Sequence, residues 1–222
     1  MFSSQISRIL KSDPYTSKHF AGVFPSDLLP TKRITKFPYS LVANTDDSSK
    51  KGEHWVCFYF DRNGVIEYFD SYGLPPVNMN LFNFIIKNIK HSRKHGAVRR
   101  GGGGEGSVRC NDVQLQGLGT VVCGHYCIAF LARRSRGESM KEIVESYRGR
   151  EPGSKDHVVR DVVNKIYGTA TLAPLQYGGS SSSSSSSSSR DLVEQCCCSL
   201  SHSKLGCSLI HFSTREAETS VR

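Results

Sequence analysis

Apolar positions recur along this chain at two spacings, and the change from one to the other marks out its elements. Ile6, Ile9 and Leu10 share one helical face near the start, and a Pro14–Tyr15 turn closes that segment. Residues 20–30 (FAGVFPSDLLP) are apolar but punctuated by Pro25 and Pro30, which predicts an irregular packed segment. Residues 39–45 (YSLVANT) read as a strand, followed by a polar loop, DDSSKKGE, at 46–53. Residues 54–60 (HWVCFYF) and 65–70 (VIEYFD) are rich in aromatic and β-branched side chains and flank Asp61-Arg62-Asn63-Gly64, the clearest hairpin signal in the chain. The first of these strands is apolar on both faces, as in the centre of a sheet covered by a helix.

The hairpin's register decides what its ends can do together. A three-residue loop at 62–64, with Gly64 in the left-handed conformation, pairs Asp61 with Val65 and sets His54 opposite Tyr72. Asp70 is then a diagonal, same-face neighbour of His54, roughly 7 Å away between Cα atoms. A two-residue Asn-Gly turn would put the two side chains on opposite faces.

Beyond a Pro75–Pro76 link, Leu81, Phe82, Ile85, Ile86 and Ile89 predict an amphipathic helix over 81–90. The stretch 116–134 (QGLGTVVCGHYCIAFLARR) opens as a glycine-broken turn and becomes an almost unbroken apolar run from Cys123 onward. Arg133 and Arg134 fall in its last turn and Gly137 lies just past it, the layout of a buried helix. Met140, Ile143, Val144 and Tyr147 mark a further packing helix, and Val158, Val159, Val162 and Ile166 another before Gly168. The fold class expected is α+β: a mostly antiparallel sheet of about five strands, flanked by helices, with a central helix that bears Cys123.

Composition sets limits on this picture. The chain has 222 residues and only 37% hydrophobic content, the deficit lying in two polar stretches. One is 87–109, where Lys87, Lys90, Arg93, Lys94, Arg99, Arg100 and Arg109 face Glu105 alone and supply most of the +9 net charge. It reads as a flexible, glycine-rich surface loop; its sharper reading is weak DNA binding without sequence preference, falling steeply as salt rises. The other runs from 170 onward: ten serines at 180–189, then a cysteine- and serine-rich tail. The expected organisation is one domain over 1–169, a Ser-rich linker over 170–190 and a disordered tail over 191–222. The eight cysteines show neither zinc spacing nor a secreted disulfide pattern, and no apolar run reaches membrane-spanning length. The expectation is a reduced, intracellular monomer of nucleus or cytoplasm, without cofactor, metal or membrane partner.

Cys123 carries the candidate chemistry. At a helix start, unpaired N–H groups and the positive end of the dipole favour thiolate over thiol. Most free cysteines are small buried hydrophobes, and Cys127, one turn later, fits that description better. What distinguishes Cys123 is its company. His54 could serve as base, Asp70 could orient that base, and Gln116, across the glycine turn, could join the Cys123 N–H as an oxyanion donor. On this reading Gln116→Ala leaves folding nearly intact while slowing turnover.

His54-Trp55, the Tyr68-Phe69-Asp70-Ser71-Tyr72-Gly73 string, and Gln116 seven residues ahead of Cys123-Gly124 together resemble the adenovirus-type cysteine endopeptidases. These share a fold with the proteases of ubiquitin-like proteins, and the nearest likeness is to the versions carried by Maverick/Polinton DNA transposons. The resemblance covers roughly residues 15–150 and includes the segment 20–30 and Asn44-Thr45. It implies a cysteine endopeptidase of viral or transposon precursor proteins: His54 as general base and acid, Asp70 as its orienter, Cys123 as nucleophile, Gln116 as oxyanion donor and Trp55 at the substrate. Removal of ubiquitin-like modifiers, or a decayed transposon protein that binds DNA through the basic loop, are the alternatives. Asp70 stands where adenoviral members carry Glu, and the basic loop reads as an insertion that would disturb the sheet.

Overall fold

Val56, Phe58 and Phe60 turn to one face of the sheet and Cys57 and Tyr59 to the other, so their strand must be covered on both sides. The computed structural model describes residues 1–89 and 107–168 and builds everything else around that strand. Five strands lie side by side in chain order: β1 (Phe20–Phe24), β2 (Tyr39–Asn44), β3 (Trp55–Phe60), β4 (Ile66–Phe69) and β5 (Val108–Cys110). Helices α1 (Ser3–Ser12), α3 (Cys123–Ser135), α4 (Met140–Glu145) and α5 (Pro152–Tyr167) cover the Cys57, Tyr59 and Phe69 face. Helix α2 (Met79–Asn88) covers the other face, packing Leu81, Phe84 and Ile85 on Phe58, Phe60 and Tyr68. The fold is α+β, with a five-stranded sheet between helices.

The expected antiparallel order holds for the three central strands, whereas both outer strands join in parallel. Parallel neighbours need a crossover, and α2 provides it between β4 and β5. Two strands depart from the sequence reading. Residues 20–24 form β1, not an irregular segment; the register breaks between Phe20 and Val23, where Gly22 sits at φ +149°, so a bulge hides the alternation. The basic stretch 87–109 is not one loop either: Lys87 and Asn88 end α2, and Val108 and Arg109 open β5, so the sheet gains an edge there. Helix α2 is rotated from its expected face, with Phe84 and Asn88 buried while Phe82 and Ile86 are each 44% exposed.

The central helix ends as its sequence predicts, with Gly137 at φ +100° beyond the last turn. Its two terminal arginines have specific partners. Arg133 grips Glu138, and Arg134 donates to Glu67 Oε2 at 2.6 Å while lying over the Tyr59 ring. Glu67 is buried on the α3 side of the sheet, and burial pushes its carboxyl upward against the pull of Arg134. That pair, with the Phe69–Phe130 stack at 4.3 Å, fixes α3 on the sheet and so fixes where Cys123 points.

Candidate active site

His54 immediately precedes β3 and Asp70 immediately follows β4, so both stand where the sheet stops. The register is that of the three-residue loop: Cys57 faces Phe69 and Phe58 faces Tyr68. Gly64 at φ +78° donates its N–H to the Asp61 carbonyl, and the Asp61 N–H donates to the Val65 carbonyl, each at 3.0 Å. The Asp61 carboxylate also takes the N–H groups of Asn63 and Val65, which fixes the loop length. His54 and Asp70 therefore fall on one side, and His54 Nε2 lies 2.9 Å from Asp70 Oδ1.

A tight turn holds Asp70. Its Oδ1 accepts the Tyr72 N–H at 2.7 Å and its carbonyl accepts the Gly73 N–H at 2.9 Å. Asn111, just beyond β5, clamps the same residue from the other side: Oδ1 accepts the Asp70 N–H at 2.9 Å and Nδ2 donates to the Asp70 carbonyl at 2.6 Å. Gly73 sits at φ +71°, and a Cβ there would lie 2.7 Å from the Val113 carbonyl carbon. Gly73→Ala is thus expected to lower the thermal midpoint, at a cost on the order of 2 kcal/mol or more, and to lower activity by displacing Asp70. An unchanged midpoint in thermal unfolding would refute this.

Cys123 is the first residue of α3 and is 7% exposed. Burial alone would push its thiol up. A hydrogen bond with His54, backbone N–H groups of Trp55 and Gly124, and the charge of His54 outweigh burial and hold it below the ordinary thiol range. Burial likewise works against charge on His54, but hydrogen bonds to Asp70 and Cys123, with their negative charges, push it up to about 10. With Nε2 committed to Asp70, Nδ1 is the ring nitrogen left for Cys123. Both shifts favour one state, a thiolate beside an imidazolium. Cys127, one turn on, is fully buried with its thiol pushed well up by burial and by Cys57, so it is a core residue. Cys110 is pushed up to about 11 by burial.

Gln116 is not a solvated turn residue: it is 1% exposed. Its Oε1 accepts from the Ser71 hydroxyl at 2.7 Å, and its Nε2 donates to the Thr120 carbonyl at 2.7 Å and the Tyr72 hydroxyl at 3.2 Å. The Ser71 carbonyl takes the N–H groups of Leu115 and Gln116, which ties this loop to the Asp70 turn. Helix α5 contributes a residue that its apolar pattern does not reveal. Asp156, buried, accepts the Gly117 N–H through Oδ2 at 3.1 Å and the Tyr126 hydroxyl through Oδ1 at 3.0 Å, joining the Gln116 loop to α3. Trp55 is half-buried beside His54; its indole N–H donates to the Met1 carbonyl at 3.1 Å, and the Met1 side chain borders Gly124.

The DNA-binding residues expected from sequence are mostly beyond this description. Lys90, Arg93, Lys94, Arg99 and Arg100 lie outside the described residues, as do the 170–190 linker and the 191–222 tail. Lys87 is described, and its amine donates to the Pro30 carbonyl at 2.6 Å over the Phe84 ring. Among the described residues no helix is long and apolar enough to cross a membrane, and no group of His, Cys, Asp or Glu is placed to hold a metal ion.

No family model matches the chain, and no curated protein matches it in sequence. Among solved structures it is similar to the ASFV pS273R protease in its selenomethionine form, at 17% identity and a TM-score of 0.44. The similarity covers 72% of this chain and 66% of that one, so the chain spans just under two thirds of that protein's length.

Proposed function

We propose that the chain is a cysteine-type endopeptidase of the adenovirus type, acting on precursor proteins. One observation carries the reading: the Cys123 thiol heads a buried helix and is hydrogen-bonded to His54, whose Nε2 is held by the buried Asp70 carboxylate. The thiolate adds to the scissile carbonyl, forming a C–S bond as the carbonyl π pair moves onto oxygen. The Cys123 N–H, left over by helix geometry, and the Gln116 side of the site stabilise that oxyanion. His54 gives its Nδ1 proton to the leaving amine, and an acyl-enzyme remains. Water then attacks as His54 takes its proton, the thiolate leaves, and the ion pair is restored. Asp70 keeps the imidazole aligned and its cationic form stabilised throughout. Trp55, next to His54, borders the substrate.

Iodoacetamide labelling tests the nucleophile without a known substrate. The thiol is depressed, so its thiolate persists as pH falls below the ordinary thiol range and is lost only through the depressed value. Cys123 should therefore alkylate rapidly at neutral pH. In His54→Ala the burial effect is left unopposed, and the labelling profile should move to higher pH by at least one unit, roughly a tenfold loss at neutral pH. Equal Cys123 labelling in both proteins would remove His54 from the site.

A further inference from the structure

Strand β5 ends at Cys110, which pairs with Tyr68, so the edge of the sheet runs out of main chain before it reaches Asp70. Asp70 is buried, and its main-chain N–H and carbonyl need partners there. The Asn111 side chain provides both. Its Oδ1 accepts the Asp70 N–H at 2.9 Å and its Nδ2 donates to the Asp70 carbonyl at 2.6 Å, much as a further residue of the strand would. An N–H can only donate and a carbonyl can only accept, so the orientation of the amide is fixed. Nδ2 also lies 3.4 Å from the Val113 carbonyl, and Asn111 itself is buried. These side-chain hydrogen bonds all go to main chain, and two of them bracket the one residue that holds His54.

What that bracket does is felt at the other end of Asp70. An aspartate side chain is short, so it has little length with which to follow His54 if its main chain moves. Oδ1 accepts the Tyr72 N–H at 2.7 Å and meets His54 Nε2 at 2.9 Å. A displacement of about 1 Å would open the His54 contact beyond hydrogen-bond range. We infer that Asn111 is a positioning residue: by bracketing the Asp70 main chain it holds the carboxylate against the His54 ring. This deepens the endopeptidase reading and rests on it. Burial works against charge on His54, and the hydrogen bonds and charges of Asp70 and Cys123 override it, pushing the ring up to about 10. Tyr68, Tyr72 and Cys110 are the other titratable groups around this corner of the sheet. Burial pushes all three up, so they stay uncharged at neutral pH. The titration of His54 therefore measures how closely Asp70 is held.

The test needs no substrate. The His54 ring is titrated by NMR on the full chain, its signal identified by its loss in His54→Ala. In Asn111→Ala the midpoint should fall by about 1–3 pH units, the range over which a close opposite charge acts. Asn111→Ser, whose hydroxyl can replace one of the two bonds but not both, should fall by less, and it serves if the alanine variant does not fold. In the Asp70→Asn background, Asn111→Ala should add no further shift, because Asn111 acts through the Asp70 charge. A brace with no part in the reaction lowers the thermal midpoint and leaves the His54 titration where it was. That result in a folded Asn111 variant would overturn the inference, as would an undiminished further shift in the Asp70→Asn background. Iodoacetamide tests the premise separately. A wild-type Cys123 that fails to alkylate at neutral pH would overturn the endopeptidase reading, and this inference with it.

Discussion

Replacing His54 with alanine is expected to lower peptide turnover at neutral pH on the order of 10⁴-fold. Two losses multiply. General acid–base catalysis by a positioned imidazole contributes about 10²–10⁴-fold, and in the proposed mechanism it protonates the leaving amine. The thiol also loses the hydrogen bond and charge that oppose its burial, so little thiolate remains at neutral pH. Raising the pH restores the second loss and not the first, so His54→Ala should recover only part of its activity in alkaline buffer. The wild-type protein should show a bell. Activity rises as pH passes up through the depressed thiol value and falls as pH nears about 10, where the imidazolium loses its proton. Asp70→Asn keeps an acceptor for His54 Nε2 and the Tyr72 N–H but removes the charge. It should cost less than His54→Ala and move the alkaline limb to lower pH. A pH–rate profile of the three proteins decides the matter, and an alkaline limb unmoved in Asp70→Asn would deny Asp70 its electrostatic part.

The hairpin was legible because its loop contains its own ruler. Asp61 and Gly64 are the residues that a three-residue loop needs, and everything that places His54 beside Asp70 follows from that loop length. Cys123 was legible for a similar reason, since a glycine turn, an apolar run and terminal arginines bound its helix from both sides. What the sequence concealed is held by polar contacts between distant segments, which leave no period. Asn111 clamps Asp70 only because β5 runs parallel to β4, and β5 is three residues long within a basic stretch. Asp156 was hidden by an assumption about faces. The pattern points to Val158, Val159, Val162 and Ile166; Val159 is buried as expected, but Val158, Val162 and Ile166 are only half-buried, and Lys155, Asp156 and Val163 join Val159 on the buried face. Its polar members bond the Gln116 loop, Lys155 through the Gln114 carbonyl and Asp156 through the Gly117 N–H, so function and packing share one face.

Gln116→Ala should lower turnover on the order of 10²–10³-fold, and the structure changes what accompanies that loss. From sequence alone, folding should be nearly untouched. With Gln116 buried, truncation leaves the Ser71 hydroxyl and the Thr120 carbonyl without partners, each orphan costing about 1–3 kcal/mol. The thermal midpoint should therefore fall together with the rate, and turnover by itself cannot separate a donor from a brace. Gln116→Glu helps to separate them. One carboxylate oxygen can still accept from Ser71, while the other meets the Thr120 carbonyl and the Tyr72 oxygen that Nε2 now serves. Protonation would restore a donor there, so the activity of Gln116→Glu relative to wild type should rise as pH falls. A brace without electrostatic function predicts no such trend. Alkylation by iodoacetamide gives the reference: a variant that alkylates Cys123 at the wild-type rate retains its thiolate and local fold. Gln116→Ala that alkylates normally but turns over on the order of 10²-fold slower places Gln116 with the oxyanion; loss of both rates in parallel would make its role structural.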